Sequence, residues 1–456
     1  MSHLENLSPS RLTLGRFSWA LYDWAVQPVY SVITTFIFAP YFATVVVGNS
    51  VRGQTLWGYA MAAVGVLIAI LSPILGAIAD ASGQRKHWTA VFAALTALGC
   101  AALWIAAPQA PSELRLAILG AVVLAVVSAN LSQVFNNAML PGLGRPERIG
   151  RLSGFSWGLG YLGGLTALTL ILGGPALLAH LGHPLDTAGH RVERAVGPLI
   201  GFWIVVFSIP LFLFTPEAAA SRTPGAGVVR HGLARLAKTA REARSHHRNI
   251  LLFLVARMIA YDGLNAIFAF GGIYAAGIFH WSMAELGIFG LILLVFGAAG
   301  AWIGGLLDDR FGAKATILVA TAGVTLASIG VLSLTAHSIF FGIPASGPAG
   351  HGFFASTTER VFLGFAIVLG ICGGPMQAAS RSLLARLSPP EMTTELFGFY
   401  AATGQVTSFA APLSIAVLTE TFASQRAGLA AVLAFLIVGF FLLLPVEERR
   451  SATVRS

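Results

Sequence analysis

Three ionisable residues, Asp23, Arg257 and Asp262, fall inside long apolar runs. A charge there costs at least about 2.5–3.5 kcal/mol on insertion scales, so it needs a reason. Asp23 follows Arg16 by seven residues, or about 10 Å of helix at 1.5 Å per residue. Asp262 lies near the middle of its run. Polar partners recur at helical spacing around them. Asp23, Gln27, Tyr30 and Thr34 share one face, as do Asn130, Gln133 and Asn137. Arg257 and Tyr261 share another, as do Asp262 and Asn265. Gln377, Ser380 and Arg381 cluster after a Gly373-Gly374-Pro375 break. A carboxyl group removed from water can carry a proton. Arginine suits carboxylates through its planar fork. The expected chemistry is therefore that Asp23 or Asp262 takes up a proton while Arg257 or Arg381 meets the anionic part of a solute. The alternative is structural: Asn, Gln, Ser and Thr join helices by hydrogen bonds, and Arg257 pairs with either Asp. Arg381 could instead sit at the cytoplasmic edge and serve a gate.

The elements that must position these groups follow from composition. The chain has 456 residues, 56% hydrophobic and only 10% charged, with a mean hydropathy of +0.78. A soluble chain could not hide that much apolar surface. A soluble enzyme, a disordered protein, a disulfide scaffold and a transmembrane β-barrel are all excluded. A polytopic all-α membrane protein remains. Twelve apolar segments are expected at about 17–46, 55–79, 88–107, 114–139, 152–178, 196–215, 250–279, 284–307, 315–337, 359–384, 394–418 and 427–445. Cys100 and Cys372 lie in apolar runs of different halves and read as reduced small hydrophobes. His183, His190, His246 and His247 have no set of metal-ligand partners, so no metal and no cofactor is expected. No phosphate-binding Gly-x-x-x-x-Gly-Lys-Ser/Thr loop occurs.

The net charge of +9 reads as basic residues kept in the cytoplasm, not as a nucleic-acid surface. With the N-terminus inside, 21 Lys and Arg fall on the inner side and 6 on the outer. That bias places both termini in the cytoplasm. Segment 216–249 carries seven of the inner charges and separates halves 1–215 and 250–456. Its stretch from Val228 to His247 has the pattern of a helix lying on an anionic leaflet, or else is a solvated linker. The loop 338–357, rich in Gly, Pro and Ser, reads as an irregular external connection. Trp19, Trp24, Trp57, Trp104 and Trp281 lie near span ends and read as interface anchors.

The two halves repeat. Gly76, Asp80, Gly83 and Arg85 match Gly305, Asp309, Gly312 and Lys314, all displaced by 229 positions, with Arg310 following Asp309. Tyr22-Asp23 matches Tyr261-Asp262 at 239, and Gly154-Phe155 with Gly160 matches Gly398-Phe399 with Gly404 at 244. A parallel repeat of six-helix halves is a mark of transporters. The glycines permit a turn and close helix approach. The acidic and basic groups form a charge network that can break as the halves rock. The glycine face of span five, Gly154, Gly158, Gly160, Gly163 and Gly164, reads as a close-packing surface.

That repeated motif resembles the signature of the major facilitator superfamily, with Ala81 and Ala313 standing in usually basic slots. A closer resemblance rests on Phe17-Ser-Trp-Ala-Leu-Tyr-Asp-Trp-Ala25, Ser153-Gly-Phe-Ser-Trp-Gly-Leu-Gly-Tyr-Leu-Gly-Gly164, Tyr261-Asp-Gly263, Gly373-Gly-Pro-Met-Gln-Ala-Ala-Ser-Arg-Ser382 and Glu395-Leu-Phe-Gly-Phe-Tyr400. These resemble the "unknown major facilitator" family, which includes a fungal autophagy-related vacuolar effluxer of amino acids. The resemblance implies two six-helix bundles, with spans one, four, seven and ten lining the solute path. The polar stripes read from spacing fall on those four spans. It also implies a monomeric, non-enzymatic secondary transporter in a bacterial inner membrane. Export of a small polar or zwitterionic solute such as an amino acid, coupled to a proton or another ion, is the favoured reading. A lipid or amphipathic-drug transporter and a non-transporting sensor or scaffold are the rivals.

Overall fold

The computed structural model describes residues 9–82, 84–143, 146–182, 188–216, 247–345, 352–389, 396, 400 and 403–448. The chain divides into two compact units, Met1–Ala234 and Arg235–Ser456.

In the first unit, α1 (Pro9–Pro28) is followed by α2 (Ser50–Ser82), α3 (Arg85–Ala102), α4 (Ser112–Met139), α5 (Pro146–His180) and α6 (Arg191–Phe214). After Pro28 the first span does not continue as an α-helix. It runs on as a π-helix over Val29–Phe36, a single α turn over Phe38–Tyr41 and a second π segment over Phe42–Val46. Proline has no N–H for the ladder, and the wider register begins at the next residue. Hydropathy does not separate α from π geometry, so this change of register is not legible in the residue pattern. α1 packs on α5 and α6, α2 on α4, and α3 on α4 and α6.

The second unit holds α7 (Arg248–Phe279), α8 (Met283–Phe311), α9 (Ala313–Leu332), α10 (Thr357–Leu387), α11 (Ala410–Phe422) and α12 (Gln425–Leu443). Its boundaries follow local chemistry. Ser282 with Glu285 and Ser356 with Glu359 form capping boxes that start α8 and α10. Ser424 caps α12. Here α7 packs on α12, α8 on α10, and α9 on α10 and α12. These repeat the first unit's pairs α1–α6, α2–α4, α3–α4 and α3–α6.

Eleven helices among the described residues are long and apolar enough to cross a membrane. The expected span 394–418 lies partly outside the described residues, with α11 inside them. The surface helix expected over 228–247 also lies outside them, apart from His247. The 338–357 connection is not wholly irregular: Ser338–Ile339 and Ile343–Pro344 pair as a small antiparallel hairpin. Three of the five expected interface tryptophans are instead buried, Trp19, Trp57 and Trp281. The Trp19 and Trp281 indoles have partners inside the protein, the Asn136 carbonyl at 2.8 Å and Glu359 at 2.7 Å. Trp24 stacks on Trp203, and Trp104 is exposed as expected.

Candidate functional site

The first unit builds its site around Asp23. Gln133 Nε2 on α4 donates to Asp23 Oδ1 at 3.0 Å, and Ser156 Oγ on α5 donates to Oδ2 at 2.5 Å. Both partners are uncharged. Ser156 is buried and was not among the expected site residues. Its sequence signals were its place among the glycines of span five and in the Ser153–Gly164 motif that carried the resemblance.

That face explains how α5 comes close enough. A Cβ at Gly160 would touch the Asp23 Cβ at 3.4 Å, and one at Gly164 would meet Gln27 Cγ at 3.2 Å. A Cβ at Gly163 would sit 2.5 Å from the Trp24 carbonyl oxygen, which no real side chain tolerates. Gly154 and Gly158 meet nothing within 4 Å. Replacing Gly163 with Ala should therefore force α1 from α5 and cost about 1–3 kcal/mol as overpacking. Thermal unfolding of the solubilised protein should show a lower midpoint for Gly163→Ala and an unchanged one for Gly158→Ala.

The remaining residues expected on this face are dispersed. Tyr30 is half-buried at the start of the π-helix, where its carbonyl accepts from Thr34 at 2.7 Å and Thr35 at 2.9 Å. Asn130 donates to the Val126 carbonyl of its own helix at 2.8 Å, and Asn137 is exposed.

The second unit builds its site around Arg257. Its guanidinium carbon lies 3.6 Å from the Tyr400 ring centroid and 4.7 Å from that of Tyr261. One terminal nitrogen, Nη1, donates to the Tyr400 carbonyl at 3.1 Å. Nε is buried with no hydrogen bond. A Cβ at Gly404, the repeat partner of Gly160, would lie 3.1 Å from Nη1. Asp262 is 4% exposed and lies beside Thr407, and its Oδ2 has no hydrogen bond. Tyr400 was not an expected site residue, although it closes a motif that carried the resemblance. Asn265 and Arg381 are exposed, and Gln377 is half-buried.

The repeated loop motif is built differently from its spacing. The buried acid that pairs is Asp308, not Asp309, which is exposed together with Arg310. Arg386 on α10 reaches Asp308 at 2.8 Å and Glu448 at 2.5 Å. Glu448 also accepts from the Ala313 and Lys314 amides at 3.0 and 2.9 Å, capping α9 from beyond α12. Gly312 has φ +92, and a Cβ there would meet Glu448 at 2.9 Å. Gly305 is exposed and has open space around it. The first copy is helical through Ser82, but the surroundings of Gly76, the side chain of Asp80 and the whole of Gly83 lie outside what is described. One tie recurs in both units. Lys86, next to Arg85, donates to the Phe212 carbonyl at the end of α6, and Lys314 donates to the Leu444 carbonyl at the end of α12.

Burial pushes the Glu448 carboxyl up, but the Lys314 and Ala313 amides and Arg386 outweigh it and hold it below its ordinary 4.5. The stability this gives is complete above 4.5 and is lost as pH falls below that value. Glu448→Gln should thus lower the unfolding midpoint near neutral pH, with the gap to wild type closing as pH falls below 4.5.

Comparison with known proteins gives the family and the fold. Residues 43–455 match the family described as "Vacuole effluxer Atg22 like". The chain is 25% identical over 448 residues to the uncharacterized MFS-type transporter YxiO of Bacillus subtilis, covering 97% of each. It is 26% identical over 310 residues to autophagy-related protein 22-1 of Neosartorya fischeri, covering 65% of this chain and 48% of that one. The chain thus spans about half the length of the fungal relative. Among solved structures, a D-xylose–proton symporter superposes with a TM-score of 0.63 at 12% identity, over 95% of each chain, which shows a shared fold.

Proposed function

The chain belongs to the vacuole effluxer Atg22-like family and is a multi-pass transporter of the major facilitator kind, and from that premise we propose that it exports amino acids by alternating access, coupled to protons. It would do so as a monomer in a bacterial inner membrane with both termini in the cytoplasm. The observation that carries the substrate class is the Arg257 cradle. A fixed guanidinium beside two tyrosine rings keeps a buried N–H without a partner, five residues along α7 from Asp262, whose carboxylate oxygen also lacks one. A zwitterion satisfies both at once, its carboxylate on Arg257 and its ammonium on Asp262. The tyrosine faces add cation–π support to the guanidinium and hold it in place.

The two acids then divide the work. Asp262 shares its surroundings with a cation and serves as a fixed charge for the solute. Asp23 is held by Gln133 and Ser156, neither charged, and both can turn to suit either protonation state. Asp23 is accordingly the proton carrier. Counterflow into proteoliposomes loaded with unlabelled amino acids tests the substrate class: a labelled amino acid should accumulate transiently. Stimulation by lipids or amphipathic drugs in its place would favour the greasier-cavity rival.

A further inference from the structure

Below Asp23, toward the Arg16 end of α1, a second polar group is buried between α1 and α4. Ser18 is 1% exposed, and Tyr22 and Asn136 are 0% exposed. The Ser18 and Tyr22 hydroxyls and both amide atoms of Asn136 have no hydrogen bond from the protein. Ser132, beside Tyr22, donates to the Ala129 carbonyl at 2.7 Å. The helices run antiparallel here: Trp19 reaches the Asn136 carbonyl and Asp23 receives Gln133. That register sets Ser18 and Asn136 at one level and Tyr22 and Ser132 at the next.

Each buried polar group left unpaired costs about 1–3 kcal/mol, and native interiors seldom keep several together. The fold does not demand these residues. Displaced by the same 239 positions as Asp23 to Asp262, Ser18 corresponds to Arg257. Displaced by the 244 that relates Gln133 to Gln377, Asn136 corresponds to Ser380, which donates to the Met376 carbonyl at 2.6 Å. The same helix pairing thus forms without an orphaned amide at that place. A water needs two to four polar partners, which this group supplies as mixed donors and acceptors. The orphaned Asn136 Nδ2 would repel a cation.

We propose that Ser18, Tyr22 and Asn136 enclose a site for ordered water between α1 and α4 that passes protons between Asp23 and the Arg16 end of α1. This rests on Asp23 as the proton carrier. Ser18 and Tyr22 lie four residues apart, about 6 Å along the helix, a gap that one or two waters fill. At each step a hydroxyl or water takes one proton on one side and releases one on the other. It ends unchanged, and Asp23 gives up its proton toward the Arg16 end, or gains one when the flow reverses. Asn136 does not relay; its amide orients the waters.

Radiolytic hydroxyl-radical labelling of the intact protein in liposomes tests the site directly. Tyr22, although sealed from bulk solvent, should be modified, because radicals form from the water beside it. Tyr41, buried with its hydroxyl on the Ala106 carbonyl at 2.6 Å, should not be. Asn136→Leu should abolish Tyr22 labelling. It should also reduce gradient-driven accumulation by about tenfold per pH unit of gradient, while counterflow exchange stays within about twofold of wild type. Ser18→Ala repeats the test should the Leu variant fail to insert. An unlabelled Tyr22 in the wild type, or full gradient-driven accumulation in Asn136→Leu and Ser18→Ala, overturns the water site. Asp23→Asn separates the two ideas. If it uncouples transport while these variants do not, the water site falls and the carrier stands. If it leaves coupling intact, the carrier falls, and Tyr22 labelling still reports the water.

Discussion

Asp23→Asn should leave a protein that exchanges solute but no longer accumulates it against a proton gradient. One pH unit is worth about 1.36 kcal/mol per proton, or about tenfold accumulation at one proton per solute. The variant should fall from that ratio to unity. Asn keeps the size of Asp and can still bond to Gln133 and Ser156, so the packing of α1 on α4 and α5 survives. What it loses is a titratable oxygen. Counterflow, which needs no gradient, should persist near the wild-type rate. Asp262→Asn should behave otherwise: both modes should weaken together, because a fixed charge for the solute is lost. Equal loss of accumulation alone in Asp262→Asn would exchange the roles of the two acids.

The second large effect is at Arg257. Removing one member of a desolvated charge pair costs about 2–5 kcal/mol, roughly 30- to 4,000-fold in affinity. Arg257→Gln should weaken amino-acid binding by that order in a direct binding assay. Arg257→Lys should recover only part of it, since an ammonium neither stacks flat between Tyr261 and Tyr400 nor offers a two-pronged donor. A solute analogue with its carboxylate converted to an amide should bind wild type and Arg257→Gln alike. A Gln variant with wild-type affinity for amino acids would assign Arg257 to helix packing alone.

The helices were legible because a membrane span must be long and apolar, and hydropathy reads that directly. Spacing brought Asp23 and Gln133 forward on separate helices, and the fold joins them at 3.0 Å. It did not reveal Ser156 or Tyr400, because their roles depend on which helix approaches α1 or α7, a tertiary fact. In the repeated motif, the 229-residue offset pointed to Asp309, yet the ion pair uses Asp308. Neighbouring residues on a helix point about 100° apart, so one position decides which acid faces α10. Glu448 lies 134 residues from Lys314 and outside the motif, and no local pattern could connect them. Tryptophan burial was missed for a similar reason: a residue near a span end faces lipid or a neighbouring helix according to rotation, which hydropathy does not resolve.

Coupled amino-acid transport has a direct readout in reconstituted vesicles. Proteoliposomes holding the wild-type protein would be loaded with mixed unlabelled amino acids and given a labelled one outside, with and without an imposed pH gradient. The expected result is counterflow of the label in both conditions, with a gradient-dependent steady state that Asp23→Asn abolishes. Folded, inserted protein that exchanges no amino acid, or whose steady state ignores the gradient, would contradict it.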